Sequence, residues 1–325
     1  MVNFLREHGN RKHFLETTCD GHSVKHVQTT NPSSSPACGQ PNMTCYLCNH
    51  HDLRVRKGAV RDNPALQIFE CTNCGLVALS SLQHIQAGHY EDSGMHGDEL
   101  PSIESWLRDT EQDDQRRFEL LKASLANRRV LDFGCGSAGF VRKAQSLAAE
   151  VAGVEPERRV REYWGDAISL HGSLEEAGGG YDLITAFHVV EHLPDPRAML
   201  RELAARLKDQ GRLVIEVPNS EDALLTLYDS DSFQRFTYWS QHLFLFNTET
   251  LRRLATQAGL RVVSIQQFQR YPLSNHLHWL SRNRPGGHQH WSFLDTPVLA
   301  AAYAASLAVV GKCDTLIAYL ERDKA

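Results

Sequence analysis

Two pairs of cysteines have the clearest chemical spacing in this chain of 325 residues. Cys45 and Cys48 form one C-x-x-C pair, and Cys71 and Cys74 form the other. Such pairs, about two dozen residues apart, are typical of a tetrahedral zinc site that takes four thiolates. Because four protein ligands leave no open position, we expect this Zn²⁺ to be structural. Redox C-x-x-C chemistry is the alternative, but it needs a thioredoxin-like context that is absent here.

A second signal lies in a glycine-rich turn. Residues 130–133 form a short apolar segment that we interpret as a strand, and Gly134 and Gly136 form the turn after it. A glycine turn between a strand and a helix lets a ligand approach bare backbone at the start of the helix. Glycine turns are common in α/β proteins, so this one alone is weak evidence.

Histidines and an acid follow two later strands. Glu191 and His192 come just after the strand predicted at 182–187, and His242 lies in the loop after the strand predicted at 212–217. Ligands of open parallel sheets bind beyond the carboxyl ends of the strands, and histidine titrates near neutrality. We therefore predict His192 and His242 as general bases with Glu191 beside them. Two alternatives stay open: Glu191 and His192 hold the loop, and His242 stacks under a bound cofactor without exchanging protons.

In this order, residues 132–136, 151–156 and 181–196 resemble the motifs of class I S-adenosylmethionine-dependent methyltransferases. The resemblance covers about residues 100–320 and implies that the glycine turn passes under the methionine part of the cofactor. It also implies that Glu155 binds the ribose hydroxyls. The cofactor-binding residues predicted on this basis are Asp132, Gly134, Cys135, Gly136, Phe140, Glu155, Pro156, Ser173, Leu174, Phe187 and His188.

A nicotinamide dehydrogenase is the rival interpretation, because Gly134, Gly136 and Gly139 also fit G-x-G-x-x-G. Residues 132–136 and the loop at 188–196 favour the methyltransferase. The family often has another glycine where this chain has Ala138. We expect Ala138 to be tolerated and to reduce the room beside the cofactor.

Alternating strands and helices predict an α/β fold, and the resemblance implies a Rossmann-like sheet of seven strands with the last one antiparallel. The strands are predicted at 129–134, 151–155, 168–170, 182–187, 212–217, 261–268 and 314–321. The helices are predicted at Ile103–Leu125, 138–149, 157–164, 196–208 and 248–258, with a turn at 208–211.

The chain divides into four segments. Residues 1–42 are predicted to be a disordered tail or an upstream extension, with Met43 as the native start; residues 43–80 are the zinc ribbon. A linker and helix span 81–127, and the methyltransferase domain spans 128–325. Its insertion at 269–312 is interpreted as a lid over the acceptor or a dimer contact. Candidate substrate residues are Tyr90, Trp239, Gln241, His276 and His278.

Composition excludes several classes of partner and location. The net charge of −5 and the lack of a basic tract argue against nucleic acid. No apolar run is long enough for a bilayer span, and charged residues interrupt any signal peptide. We expect a cytoplasmic protein.

The acceptor is inferred from a further resemblance. Several sugar methyltransferases carry a similar four-cysteine module, and those that methylate carbon have a Tyr-His-Glu-His run at residues 239–242. Here Trp239 and Gln241 depart from that run, which favours an O-methyl or N-methyl product on a small-molecule or glycan acceptor such as a nucleotide sugar. The loop of Glu191 and His192 also resembles quinone O-methyltransferases, where such residues have been linked to a divalent cation. A quinone or other metabolite, or a non-catalytic cofactor-binding scaffold, is the alternative function.

Overall fold

The computed structural model describes residues 43–86, 88–91, 96 and 100–323. Its strands are β1 Leu53–Val55, β2 Ile68–Cys71, β3 Val77–Leu79, β4 Arg129–Phe133, β5 Glu150–Val154, β6 Ser169–His171, β7 Tyr181–Phe187, β8 Leu207–Pro218, β9 Phe244–Leu245, β10 Leu260–Phe268 and β11 Thr315–Arg322. Its helices are α1 Ile103–Leu125, α2 Gly139–Ala144, α3 Arg158–Trp164, α4 Leu174–Ala177, α5 Pro196–Arg206, α6 Ala223–Thr226, α7 Asp231–Thr237, α8 Thr248–Gln257, α9 Leu273–Arg282, α10 Gly287–His290 and α11 Pro297–Val309. The prediction for residues 1–42 lies outside the described residues.

Seven strands form the central sheet in the order β10-β11-β8-β7-β4-β5-β6. The neighbouring strands from β6 to β8 are parallel, and β11 runs antiparallel to both β8 and β10. This confirms the predicted class I methyltransferase sheet and its reversed last strand. Because β4 and β7 are adjacent, the glycine turn and the histidine loop emerge side by side at one edge of the sheet.

Local sequence explains where the main helices begin. Ser102 caps α1 by accepting a hydrogen bond from the Ser105 N–H, and Asp195 caps α5 just before Pro196. Pro at the first helical position is favourable because its missing N–H would have no partner there. Apolar residues of β4, β7 and β8 are fully buried between the helices that cover the two faces of the sheet, which fixes the frame of the site.

Two predicted boundaries were wrong. The predicted helix 138–149 ends at Ala144, because the Asn127 N–H bonds to Leu147 O and the Ala149 N–H to Arg128 O as the chain turns into β5. The predicted turn at 208–211 is part of β8. Leu207 already pairs with Tyr181, and the extra residues form an irregularity before Arg212 pairs with Leu183.

The insertion at 269–312 folds into α9, α10 and α11. The ring of Trp279 packs against Phe233 and Phe236 of α7, so this insertion packs on the segment after β8. Among the described residues, no helix has both the length and the apolar character needed to cross a membrane.

Candidate active site

The glycine turn joins β4 to α2 at the carboxyl edge of the sheet. Gly134 and Gly136 have φ angles of +71° and +54°, in the left-handed region that glycine adopts without strain. Ala138 is also left-handed, with φ of +63°. This angle gives a physical reason why a glycine is common at that position, and the fully buried methyl group is accommodated.

Glu155 lies directly beside this turn. Its two carboxylate oxygens accept hydrogen bonds from the N–H groups of Gly136, at 2.8 Å, and Glu157, at 2.9 Å. Burial raises the pKa of Glu155 to about 7, although these hydrogen bonds oppose the rise. An acid at the end of β5 next to bare backbone at the end of β4 is the donor and acceptor set that a ribose and an amino acid moiety need.

Helix α1 covers the turn from outside. A Cβ built on Gly136 would lie 3.1 Å from the Trp106 ring, and one built on Gly139 would meet the Asp114 carboxylate. Val189, from the loop after β7, lies 2.5 Å from a Cβ built on Gly134. The turn therefore sits between α1 and the histidine loop, with no room for side chains at these glycines.

The other predicted cofactor residues surround this position or support it. Asp132 is buried and accepts a hydrogen bond of 2.7 Å from Thr185, which ties β4 to β7, and burial raises its pKa to about 7. Cys135 packs against Gly153, and Phe140 meets Phe187 edge to face at 5.1 Å. Ser173 caps α4, while Pro156 and Leu174 follow β5 and β6 at the same edge. Their contact with a cofactor remains a prediction.

Glu191, His192 and His242 converge in the interior. One carboxylate oxygen and one ring nitrogen from each histidine all lie within 4.8 Å of one another. Their exposed fractions are 0%, 5% and 3%. Among the described residues, Glu191 Oε2 and His242 Nε2 have no hydrogen-bond partner. Three buried polar groups this close together, two of them with an atom that has no hydrogen-bond partner, form a site for either a proton or a cation.

Backbone carbonyls orient both imidazoles. His192 Nδ1 donates to Gln241 O at 2.7 Å, and His242 Nδ1 donates to Thr237 O at 2.9 Å. A carbonyl only accepts, so Nδ1 of each neutral ring carries the hydrogen and Nε2 keeps a lone pair. His192 Nε2 lies 4.0 Å from Glu191 Oε1. Both rings thus present an unprotonated nitrogen towards the carboxylate.

The charges of the three groups follow from burial and proximity. Burial lowers the pKa of His242 to about 3, with His192 adding to the effect, and burial lowers the pKa of His192 as well. Burial opposes ionisation of Glu191, but its hydrogen bond with His188 lowers the pKa of the carboxyl group to about 2. At neutral pH the site holds one carboxylate and two neutral imidazoles.

A buried ionic group behind this site was missed from the sequence. His188 Nδ1 contacts Glu191 and its Nε2 contacts Glu216, both at 3.1 Å. Arg117 binds the same Glu216 oxygen at 3.0 Å, and Arg270 Nη1 lies 3.1 Å from His188 Nε2. Glu216 is an acid inside the apolar run of β8, a signal that was available. The pairing with Arg117 and Arg270 required the tertiary structure.

Some of the candidate substrate residues border the site, and others lie within the insertion. Tyr90 donates a hydrogen bond of 3.3 Å to His192 O, and the Trp239 ring lies edge-on to His192 at 5.9 Å, so both border the site. His276 bonds Tyr303 and Gln269, and His278 bonds Arg284 O, so these hydrogen bonds stay inside the insertion. The insertion reaches the site through Arg270.

Comparison with known proteins agrees with this geometry. Residues 108–265 match the family model described as "Methyltransferase domain". These residues belong to a class I methyltransferase domain. The match includes the glycine turn, Glu155 and the histidine loop.

Curated relatives of the methyltransferase domain bear the name ubiquinone biosynthesis O-methyltransferase. The protein from Bordetella avium is 27% identical over 47% of this chain and 70% of its own length, and that from Xanthomonas axonopodis pv. citri is 30% identical over 34% and 52%. The chain thus spans about half the length of the Xanthomonas relatives. A solved structure of a SAM-dependent methyltransferase from Archaeoglobus fulgidus has 20% identity and a TM-score of 0.47, covering 67% of this chain and 99% of that one.

The four cysteines of the N-terminal module meet at one point beside the methyltransferase domain. Their sulfur atoms lie within 4.8 Å of one another, with Cys45 and Cys74 at 3.4 Å and Cys48 and Cys71 at 3.5 Å. Sulfur atoms at 2.3 Å from a tetrahedral zinc would be spaced at nearly this distance. The donor set therefore fits Zn²⁺.

The four-cysteine module is not independent of the methyltransferase domain, although the sequence divides them at residue 80. Its small sheet has the order β1-β2-β3-β9, so its fourth strand comes from residues 244–245. Tyr46 bonds Asp195, and Gln257 donates to Leu47 O at 2.8 Å. The short range of β9 gave no strand signal, because two residues carry no periodicity.

Proposed function

We propose that this chain transfers a methyl group from S-adenosylmethionine to an oxygen of a small hydroxylated metabolite, with His192 and His242 as proton acceptors. The observation that carries the proposal is the buried convergence of Glu191, His192 and His242 beside the glycine turn. Val189, which packs on Gly134, joins the two halves of the site.

Methyl transfer needs an in-line nucleophile and removal of its proton. When bound, S-adenosylmethionine supplies a methyl group on a good leaving group. The lone pair on Nε2 of His192 or His242 takes the hydroxyl proton, and the Glu191 carboxylate stabilises the imidazolium that results. Burial keeps water from competing for the methyl group. Gln241 O and Thr237 O hold the two rings in the required tautomer.

A quinone precursor or a similar phenol is the favoured acceptor class. The curated relatives are named for ubiquinone biosynthesis, and part of this chain aligns with them. A phenolic hydroxyl has a pKa near 10, so a neutral imidazole deprotonates it more readily than an aliphatic sugar hydroxyl. A sugar-containing acceptor, which the four-cysteine module suggests, is the second candidate.

The test is methyl tracing with matched acceptors. Labelled S-adenosylmethionine is incubated with the protein and catechol, UDP-glucose or fractionated extract of the native cells, and mass spectrometry locates the label. Label on catechol or an extracted phenol supports the proposal. Label on a sugar would instead support the second candidate, a sugar-containing acceptor. Cofactor binding without labelled product in any fraction would favour the scaffold and contradict catalysis.

We further propose that the four cysteines hold a structural Zn²⁺ in a reducing, cytoplasmic setting. The six described cysteines are all free thiols. Chemical metal analysis of the purified chain tests this, with one zinc per chain expected.

A homodimer through α11 is the proposed assembly. Val298, Val309 and Val310 are 83%, 88% and 60% exposed, and residues 296–311 carry no charge. Exposed apolar patches of this kind mark interaction sites. Sedimentation of the wild type and of Val298→Lys tests the proposal: a monomer in both would contradict it.

A further inference from the structure

Ser240 is the point where the four-cysteine module and the linker after it hold the loop that carries His242. All three of its polar groups bind residues outside the methyltransferase domain. Asp62 accepts from the Ser240 N–H at 2.9 Å and from its hydroxyl at 2.6 Å. His84 Nε2 donates to Ser240 O at 2.5 Å. These three bonds leave Ser240 a single position relative to the module.

The neighbours of Ser240 orient both histidines of the site. Gln241, the next residue, supplies the carbonyl that accepts from His192 Nδ1. Trp239, the preceding residue, supplies the carbonyl that accepts from the His242 N–H at 2.9 Å. A displacement of Ser240 would therefore move the acceptor of one histidine and the backbone anchor of the other.

Backbone pairing completes the connection to the module. The Leu79 N–H donates to Leu243 O at 3.1 Å as β3 pairs with β9, and the Leu243 N–H donates to Glu191 O at 2.9 Å. The guanidinium of Arg61 lies 4.7 Å above the Trp239 ring. Side-chain and backbone contacts from the module thus reach the loop of His242 and, through Leu243, the backbone of Glu191.

We propose that Asp62 and His84 are positioning residues that set the geometry of His192 and His242 through Ser240. The four-cysteine module then has a role beyond its own folding, because it fixes the acceptor side of the methyltransferase site together with His84 of the linker. The consequence for turnover rests on the proposed function of the two histidines, whereas the consequence for ring geometry does not.

Asp62→Ala is the decisive variant. Asp62 is exposed, so its removal opens no cavity and the chain should fold. Asp62→Asn keeps an acceptor for the Ser240 N–H and a donor for its hydroxyl, and therefore should restore most of the effect. Asp52→Ala is the matched control, because the Asp52 carboxylate bonds Thr72 within the module and not Ser240.

Ring-labelled histidine NMR gives the first readout, with His192→Gln and His242→Gln assigning the signals. We expect Asp62→Ala to shift the ring signals of His192 and His242, and Asp52→Ala and Asp62→Asn to leave them in place. We also expect methyl transfer into the native extract to fall about ten- to a hundredfold in kcat, as a small misplacement does, with cofactor affinity unchanged.

The outcomes separate the two hypotheses. Unchanged ring signals in Asp62→Ala would overturn the positioning role, even if His192→Gln abolishes methyl transfer. Shifted ring signals with unchanged methyl transfer would support the positioning role and overturn the base assignment. A Ser240→Ala/Asp62→Ala double variant that is no worse than Asp62→Ala would support Ser240 as the link, and additive losses would contradict it.

Discussion

The rings of His192 and His242 lie 5.1 Å apart, although the two residues belong to loops that follow different strands of the sheet. Each ring is held at Nδ1 by a backbone carbonyl, so each directs its Nε2 lone pair into the interior. Burial makes a proton on either ring costly, and the ionised Glu191 carboxylate opposes this effect only in part. This relationship accounts for the behaviour expected of the following variants.

Replacing either histidine should slow methyl transfer without weakening cofactor binding. We expect His242→Ala and His192→Ala to lower kcat by about 10²- to 10⁴-fold, the usual contribution of a positioned base. Single-turnover transfer and cofactor titration measure the two effects separately. His290→Ala, an exposed histidine in the insertion, is the control. Full activity in both site variants would end the base assignment.

Stability should fall with acid because the site buries neutral imidazoles. The pKa of His242 is about 3 in the folded chain and about 6.5 when unfolded, so the unfolded chain binds the extra proton between these values. The contribution is complete above about pH 6.5 and is lost as pH falls towards 3. Denaturant unfolding measures the free energy of unfolding at each pH. For His242→Gln this free energy should rise with pH less steeply than for the wild type, by up to about 1.4 kcal/mol per pH unit. An identical slope in the wild type would contradict the assigned charge state.

Glu155→Ala should weaken cofactor binding. Loss of a charge-assisted acceptor for the ribose hydroxyls costs about 1.5–3 kcal/mol, or roughly a ten- to hundredfold rise in Kd. Calorimetric titration with S-adenosylhomocysteine measures it. Glu150→Ala is the control, since this acid of the same strand is mostly exposed and pairs with Arg129. Equal affinities in both variants would remove Glu155 from the cofactor site.

Loss of one thiolate should remove the zinc and loosen the fold. Cys71→Ser is expected to contain less than one zinc per chain and to melt at a lower temperature, because metal binding supplies folding energy to so small a module. Metal analysis and thermal denaturation measure both. Cys313→Ser changes a buried cysteine outside the cluster and should keep its zinc. A zinc content equal in the two variants would contradict the four-cysteine site.

Chelation distinguishes two roles for Glu191, His192 and His242: a general base with its carboxylate partner, or the ligands of a divalent cation. If the histidines act as bases, brief EDTA treatment that leaves the tightly held zinc in place should not change methyl transfer. Loss of activity that Fe²⁺ or Zn²⁺ restores would instead assign the three residues as cation ligands, because imidazole nitrogens favour these ions. Metal analysis after treatment confirms that the four-cysteine site was not emptied.

Much of the frame could be predicted because its signals are local. The seven strands were placed to within a residue or two at most ends, since apolar runs and glycine stops are read along the chain. The predicted boundaries were wrong where contacts with distant residues determine them. Helix α2 is shorter than predicted because of the hydrogen bonds of Arg128 and Asn127, and β8 is longer because Leu207 pairs with Tyr181. Strand β9 was missed because its partner, β3, lies in the four-cysteine module.

The sequence by itself determined the chemistry that is encoded in spacing: four thiolates in two pairs, a glycine turn after an apolar strand, and an acid after the next. Only the tertiary structure decided which groups meet. It joined Glu191 and His192 to His242, placed His188 between Glu191 and Glu216, and attached Asp62 to Ser240. Spacing along the chain determines local geometry, whereas contacts between distant residues depend on how sheet order and packing bring separate loops to one edge.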